Sequence, residues 1–366
     1  MTVIVHFITR DKFTTGYINF MNTCMTGLEH HFFVTAKDTH EVNPLDERKV
    51  HYYNSMRDVM LGRNLQLLQE CQKIIISGVW DTRMLLALRR DFVRKCYLQF
   101  WGGDFYGYRF SRSPGVMHPL RSLKWFVRRC IHHQFIKHCA GTISLISADI
   151  DELLKIFPNN AKHFTAPMPF DPTRLHEFNE LFYRLVNTKH EGSTVRIIAG
   201  NSAQRPNNHK GIFRMLAYLK DADIEILSPL SYGDDEYRNA VIRLGHKIFG
   251  NKFKPIVDFM SIPKYIEFLA SCDVAIFNHN QQAAMGNISL LLRLGKKVYI
   301  REDTAMWEHF RHNMKYDVSP VSELRSITLQ QLADFPQELA YNNIHIAEEY
   351  AAGTQAVTQW RKVFDD

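Results

Sequence analysis

Three short segments hold residue types suited to chemistry on a phosphorylated substrate. Gly200-Asn201-Ser202 follows the apolar run Val195–Ala199, and Asn207, Asn208, His209 and Lys210 stand at the start of the next helical pattern. A glycine there lets backbone approach a ligand closely, and short amide and hydroxyl side chains donate to phosphate oxygens. Asn278-His279-Asn280-Gln281-Gln282-Ala283-Ala284-Met285-Gly286-Asn287 again lies between an apolar run and a helical pattern, where unpaired helix N–H groups would meet an anion. Trp101-Gly102-Gly103-Asp104-Phe105-Tyr106-Gly107-Tyr108 puts a carboxylate in an aromatic, glycine-rich turn. Aromatic faces there would stack on a sugar ring, and Asp104 is the candidate general base. His6 and Asp11, near the end of the first apolar run, are the next candidates. Each segment also has a plain reading: a capped turn, a polar loop, a rigid aromatic turn.

Other signals carry less. Asp149-Ile150-Asp151 has a metal-binding spacing, but it opens a helical pattern, where acids favour the positive end of the dipole. His132, His133 and His138 lie in a basic helix without nearby carboxylates. No metal and no cofactor is therefore expected, and a diphosphate would be met by helix N-termini and by basic or amide side chains. The chain has no Gly-x-Gly-x-x-Gly, no phosphate-binding Gly-x-x-x-x-Gly-Lys loop and no Gly-x-Ser-x-Gly. That disfavours dinucleotide enzymes, NTPases and α/β-hydrolases.

The elements that must position these segments alternate. Apolar runs at Val3–Thr9, His31–Ala36, Lys73–Gly78, Cys96–Trp101 and Gly141–Ile146 are separated by helical patterns such as Tyr17–Thr26, Met56–Gln72 and Pro119–His138. The second half repeats this as five βα units, with strands at Val195–Ala199, Ile224–Leu227, Phe253–Val257, Val274–Asn278 and Val298–Ile300. Such alternation predicts an α/β protein of two Rossmann-like parallel-sheet domains facing a central cleft. The proline-rich stretch Ala166–Pro172 reads as the crossing point between them, and the charged stretch Asn187–Ser193 as a separator. The expected bounds are 1–186 for an acceptor-side domain and 187–343 for a nucleotide-binding domain. Residues 344–366 read as an amphipathic tail packing back on the first domain.

A chain of 366 residues with 45% hydrophobic and 23% charged residues suits two globular domains. No apolar stretch is long enough for a membrane span, and the start lacks the pattern of a secretory signal. The six scattered cysteines suit reduced thiols in a cytoplasm. Charge is uneven: from Arg83 to Lys137 there are twelve Lys or Arg against Asp91 and Asp104. A basic concentration of this kind predicts a polyanionic neighbour. In Pro119–His138, Arg121, Lys124, Arg128 and Arg129 accompany the apolar set Leu120, Leu123, Phe126, Val127, Ile131 and Phe135. That fits a helix on an anionic membrane surface, and equally a core helix with a charged outer face. No nucleic-acid module is evident, so no nucleic-acid partner is expected.

Together the motifs resemble glycosyltransferase family 56, the TDP-N-acetylfucosamine:lipid II N-acetylfucosaminyltransferases of enterobacterial common antigen synthesis. The similarity runs from Met1 to Trp360. Trp101, Gly102, Asp104, Phe105 and Tyr106 fall on the family's Trp-Gly-x-Asp-(Leu/Phe)-Tyr motif, and Gly200, Asn201 and Ser202 on its Gly-Asn-Ser turn, followed by Arg205, Asn207 and His209. Gln282 and Gly286 match its Gln-rich loop, and Arg301, Glu302 and Trp307 look like its Arg-Glu-x-x-x-Trp segment with one extra residue. The chain departs from the family at Gln204, where an acid is usual, and at Ser77-Gly78, where the family has His-Gly.

The resemblance implies a GT-B fold and a TDP-sugar donor on the C-terminal domain, carried here by Gly200, Asn201, Ser202, Arg205, Gln282, Gly286 and Asn287. Glu302, after a late strand, is placed to accept a hydrogen bond from the nucleotide ribose. The resemblance also implies a polyprenyl-diphosphate-linked acceptor at the N-terminal domain and peripheral association with the cytoplasmic face of the bacterial inner membrane. An O-antigen pathway using a related deoxyamino sugar fits as well. Another nucleotide-sugar enzyme, such as a GT-B-like epimerase, is the competing reading and would need no membrane acceptor.

Overall fold

Strands whose two faces are both covered carry near-continuous apolar side chains, and Ile4, Val5, Phe7 and Ile8 are all buried. The computed structural model describes residues 1–36, 41–78, 82–110, 119–169, 171–186, 188, 192–351 and 353–366. It divides into two units, Met1–Leu175 with Gly353–Asp366, and His176–Ala352.

The first unit holds one parallel sheet of β1 (Thr2–Ile8), β2 (Leu28–Thr35), β3 (Val50–Tyr53), β4 (Lys73–Ser77), β5 (Cys96–Phe100), β6 (Gly141–Ser144) and β7 (Lys162–Thr165). Their spatial order is β3-β2-β1-β4-β5-β6-β7. The chain thus winds outward from β1 in one direction and returns to start the other at β4, so the strand order reverses between β1 and β4. Ligands of such sheets bind outside the carboxyl ends of the strands at this reversal. One face of the sheet is covered by a core including Phe7, Phe33, Ile76, Leu98 and Phe105. The other is covered by a core including Ile4, Tyr17, Phe32, Ile143 and Trp360.

The second unit holds β8 (Val195–Ala199), β9 (Ile224–Pro229), β10 (Phe253–Ile256), β11 (Val274–Phe277), β12 (Lys297–Ile300) and β13 (Ser319–Pro320). All neighbours are parallel, in the order β10-β9-β8-β11-β12-β13. Here the reversal falls between β8 and β11, which puts the ends of Val195–Ala199 and Val274–Phe277 side by side.

The structure differs from the sequence expectation in instructive places. Strands β3, β7 and β13 carry no strong apolar run; all three are sheet edges and mostly half-buried. The helix expected over Met56–Gln72 is two helices, Met56–Val59 and Gly62–Glu70, with Gly62 at a φ of +54° opening the second. The tail is also two helices. Gln337–Ala351 packs Ala347 into the second unit's core, whereas Thr354–Phe364 buries Trp360, Val363 and Phe364 in the first. Gly353, at a φ of +78°, separates them. The helix Leu175–Leu185 places Leu181 and Phe182 in the second unit's core, so the division falls at Leu175 instead of 186. Most of the separator expected at Asn187–Ser193 lies outside the described residues, as do residues 111–118 of the basic segment.

Candidate functional site

In the second unit the turn after β8 is built around a glycine that nothing else can replace. Gly200 has a φ of +73°, a region in which side chains are strained. An added Cβ would sit 2.6 Å from His209 Nε2 and 2.7 Å from Asn207 Oδ1. Asn207, buried, locks the turn from below: its Oδ1 accepts from the Asn201 backbone N–H at 2.7 Å and its Nδ2 donates to Ser202 Oγ at 3.1 Å. The Asn201 side chain is spent inside the protein as well, with Nδ2 donating to the Tyr232 hydroxyl at 3.1 Å and Oδ1 lying 3.0 Å from His279 Nε2. Asn201 and Ser202 are 9% and 1% exposed. Their side chains shape the turn from within. His209 and His279 are buried, which pushes their pKa values down to about 4 and about 3 and keeps both rings neutral.

Across the reversal, the segment after β11 leads into the helix Met285–Arg293. Ala284 caps it in the left-handed conformation, at φ +57° and ψ +18°. A non-glycine residue held there stores strain, a feature that clusters at functional sites. The first-turn amides of Met285, Gly286 and Asn287 have no intrahelical acceptor; Gly286 is exposed and Asn287 half-buried. Gln282 is buried in the preceding loop. Glu302 is exposed just after β12, beside an Arg301–Asp303 ion pair of 2.6 Å. Arg205 stands apart from the turn, with its guanidinium over the Tyr237 ring and 3.9 and 3.8 Å from Asp234 and Glu236. Sequence reasoning did not single out Tyr232, which lies in the loop after β9 with no motif around it, and treated His279 only as one polar loop residue among ten.

In the first unit, Asp11, Thr14, Ser77 and Trp101 line one depression with Ile8 and Met168, at the β1–β4 reversal. Trp101 is fixed by donating Nε1–H to Ser77 Oγ at 3.0 Å, with its ring 5.5 Å from that of Phe13. Gly78 permits this: a Cβ there would meet Trp101 Nε1 at 3.2 Å. Asp11 is tied to the start of the following helix, its Oδ1 accepting from the Phe13 N–H at 2.8 Å. Asp104, half-buried in the first turn of the helix Gly103–Phe110, accepts from the backbone N–H of Trp101 at 3.0 Å. The carboxylate thus holds the motif's own turn together.

Asp149 adds a second carboxylate nearby in the electrostatic sense. It is 1% exposed and accepts from the Tyr106 hydroxyl at 2.9 Å. Burial, with the Asp104 charge adding to it, pushes its pKa up to about 7. Asp151 is exposed, so the two acids do not converge.

His6 is a correction. It faces the core from within β1, fully buried, with Nδ1 2.9 Å from the Tyr17 hydroxyl and Nε2 2.9 Å from His30 Nδ1. Both ring nitrogens are engaged and burial holds the ring neutral, because both faces of this central strand are covered by core side chains. His132 is likewise a core residue, 2.9 Å from the Tyr108 hydroxyl. Among the described residues, no group of three or more His, Cys, Asp or Glu is placed to hold a metal ion.

The helix Pro119–His138 has two characters. Its C-terminal half buries His132, Phe135 and Ile136. In its N-terminal half Leu120, Leu123, Phe126 and Val127 are 75%, 58%, 59% and 45% exposed. At 100° per residue these four lie on the side opposite His132 and Ile136, flanked by the exposed Arg121, Lys124 and Arg128. The six-residue apolar set read from the sequence does share one side of the helix, but packing divides it along its length: the first four are exposed, Ile131 is half-buried and Phe135 is buried. Arg129 is half-buried, its guanidinium 5.4 Å from the Trp125 ring centre and 5.9 Å from that of Phe157. No described helix is long and apolar enough to cross a membrane.

The fold of two parallel-sheet α/β units is shared with solved GT-B glycosyltransferases. Sucrose-phosphate synthase from Thermosynechococcus elongatus aligns with a TM-score of 0.67 at 10% identity, over 100% of this chain and 98% of that one. HepE from Anabaena, in complex with UDP and glucose, aligns with a TM-score of 0.66 at 11% identity over 100% of both chains. A glycosyltransferase from Rickettsia africae ESF-5 gives 0.65 at 11% identity, over 99% and 97%. The protein is a glycosyltransferase of the GT-B fold. It belongs to the family described as 4-alpha-L-fucosyltransferase, glycosyl transferase group 56, whose model matches residues 1–333.

Proposed function

We propose that the enzyme transfers a deoxyamino sugar, N-acetylfucosamine-like, from a TDP-sugar to a polyprenyl-diphosphate-linked glycan. The glycan would be an intermediate of enterobacterial common antigen or O-antigen synthesis at the cytoplasmic face of the inner membrane. The observation that carries the donor half is the β8–β11 reversal, where a glycine turn of φ +73° faces a helix whose first-turn amides lack intrahelical partners. The helix dipole and these N–H groups favour a diphosphate, and HepE was solved with UDP-glucose. Glu302 would take the ribose, and Gln282, Gly286 and Asn287 would border the phosphates. Arg205 would join them by exchanging its long ion pairs for a phosphate.

The acceptor half rests on two features of the first unit. Trp101 and Phe13 form an aromatic surface beside Asp11, and Asp104 lies in the same turn as the general base. The exposed apolar and basic face of Pro119–His138 suits an anionic membrane carrying the lipid-linked acceptor.

Calorimetric titration with nucleoside mono- and diphosphates tests the donor reading. Tighter binding of diphosphates than monophosphates is expected, with TDP above UDP; no preference for the diphosphate would remove the donor assignment, and UDP above TDP would change the nucleotide. Activity is expected to survive EDTA. A loss restored by magnesium or manganese would overturn the metal-independent reading.

A further inference from the structure

His279 is fully buried immediately after β11, directly across the reversal from the end of β8. Its packing asks only for a flat apolar ring, since it stacks on Phe277 with centroids 5.8 Å apart. What the imidazole adds is polar. Nε2 lies 3.0 Å from Asn201 Oδ1, while Nδ1 is buried with no hydrogen-bond partner. A neutral imidazole carries one N–H, and an amide oxygen only accepts. The proton therefore sits on Nε2, which donates to Asn201, and Nδ1 is the open acceptor. Leaving an acceptor buried and open is costly, so the ring is held where it is for the bond at Nε2.

That bond fixes which way the Asn201 amide points. With Oδ1 committed to His279, Nδ2 is turned to the Tyr232 hydroxyl, 3.1 Å away. The Asn201 backbone N–H is meanwhile held by Asn207 Oδ1 at 2.7 Å. Without His279 the amide is free to rotate by half a turn, which would leave Oδ1 accepting from the Tyr232 hydroxyl instead of Nδ2 donating to it, while the Ala203 N–H, donating to the Tyr232 carbonyl at 2.8 Å, still ties the loop after β9 to the turn after β8. The nearest charged state that could oppose the arrangement is that of His209, which is itself held neutral by burial.

We propose that His279 is a positioning residue of the nucleotide-diphosphate site, acting through the Asn201 amide to set the direction of the Asn201–Tyr232 hydrogen bond beside the Gly200 turn. The inference rests on the donor reading of the second unit given above.

The test compares His279→Gln, His279→Leu and Asn201→Ala in the full-length protein, with TDP and UDP as calorimetric probes. Glutamine places an amide N–H near the Nε2 position, and leucine does not. His279→Leu should weaken diphosphate binding about five- to tenfold, the worth of one hydrogen bond, while His279→Gln stays within about threefold of the parent. The KM of the acceptor should not move. Asn201→Ala should weaken binding to a similar extent, and the double variant should be no weaker than either single one, because both break one bond.

Diphosphate binding indifferent to His279→Leu overturns the inference, as do strictly additive single effects or a His279→Gln variant as weak as the leucine one. If His279→Leu does not fold, His279→Asn takes its place: its shorter side chain does not span the gap to Asn201, so it should lose affinity where glutamine keeps it, and equal affinity of the two overturns the inference. A parent protein that binds neither TDP nor UDP overturns the donor reading itself, which these arms separate from failure at His279.

Discussion

The carboxyl ends of the two sheets carry opposite kinds of chemistry. At the carboxyl ends of the first sheet stand carboxylates and aromatics: Asp11, Asp104 and Asp149 with Phe13, Trp101 and Tyr106. At the second stand neutral amides and imidazoles: Asn201, Asn207, Asn278, His209 and His279, with pKa values of the two histidines depressed by burial. A site made of neutral donors and helix amides tolerates an incoming anion without first surrendering a counter-charge. A site made of carboxylates suits proton removal and repels phosphate. On the proposed function, the same fold, used twice, would separate anion binding from proton transfer by side-chain choice in the loops after its strands. Four tests break or sharpen this contrast, in falling order of expected effect.

The largest effect belongs to Asp104→Asn. It keeps an acceptor for the Trp101 N–H and removes the base, so kcat should fall about 10²- to 10⁴-fold with nucleotide affinity unchanged. Steady-state rates and calorimetry together check this. An unaltered kcat would make Asp104 the cap of its own helix and nothing more.

Next is the basic face. Changing Arg121, Lys124 and Arg128 to Gln should release the protein from anionic vesicles in a sedimentation assay, at about 1 kcal/mol per charge, and high salt should mimic the change. Arg129, packed over two aromatic rings, should also lower the melting temperature when changed to Gln. Vesicle binding untouched by both charge removal and salt would place the membrane contact elsewhere.

Gly200→Ala tests the second unit. The methyl would clash with His209 and Asn207 in a left-handed backbone, costing about 1–3 kcal/mol, read as a lower melting temperature together with weaker TDP binding. A variant as stable as the parent would show the turn to be slack.

The smallest effect is a pH dependence. The folded pKa of Asp149, about 7, lies above its unfolded value of 3.8. Between those pH values the folded state keeps a proton that the unfolded state has lost, so this residue's contribution to stability falls as pH rises from about 4 to about 7. Asp149→Asn should flatten that part of the melting-temperature curve. An identical slope in the variant would assign the dependence to other groups. Donor affinity should stay level from pH 6 to 8, since His279 titrates near 3.

How much was readable beforehand depended on burial and on sequence distance. Central strands such as β1, β4 and β11 are apolar along their length and were legible; the edge strands β3, β7 and β13, half-covered and carrying polar residues, were not. The motif loops were legible because glycine, asparagine and acid residues cluster within a few positions. His6 misled because a lone histidine in a strand does not reveal that both faces of that strand are covered. The helix Pro119–His138 was legible as a helix, but its apolar residues looked like one face, whereas packing buries one end and leaves Leu120, Leu123, Phe126 and Val127 outside.

The alternation of apolar runs and helical patterns by itself determined two parallel-sheet α/β units, and the local motifs determined where their loops lie, because period and turn chemistry are properties of neighbouring residues. Only tertiary structure decided that Tyr232 and His279 meet across Asn201, that Tyr106 reaches Asp149, and that the last helix joins the first unit while the helix before it joins the second. Those pairings link residues from 31 to 193 positions apart, and nothing short of the strand order brings them within a hydrogen bond of each other.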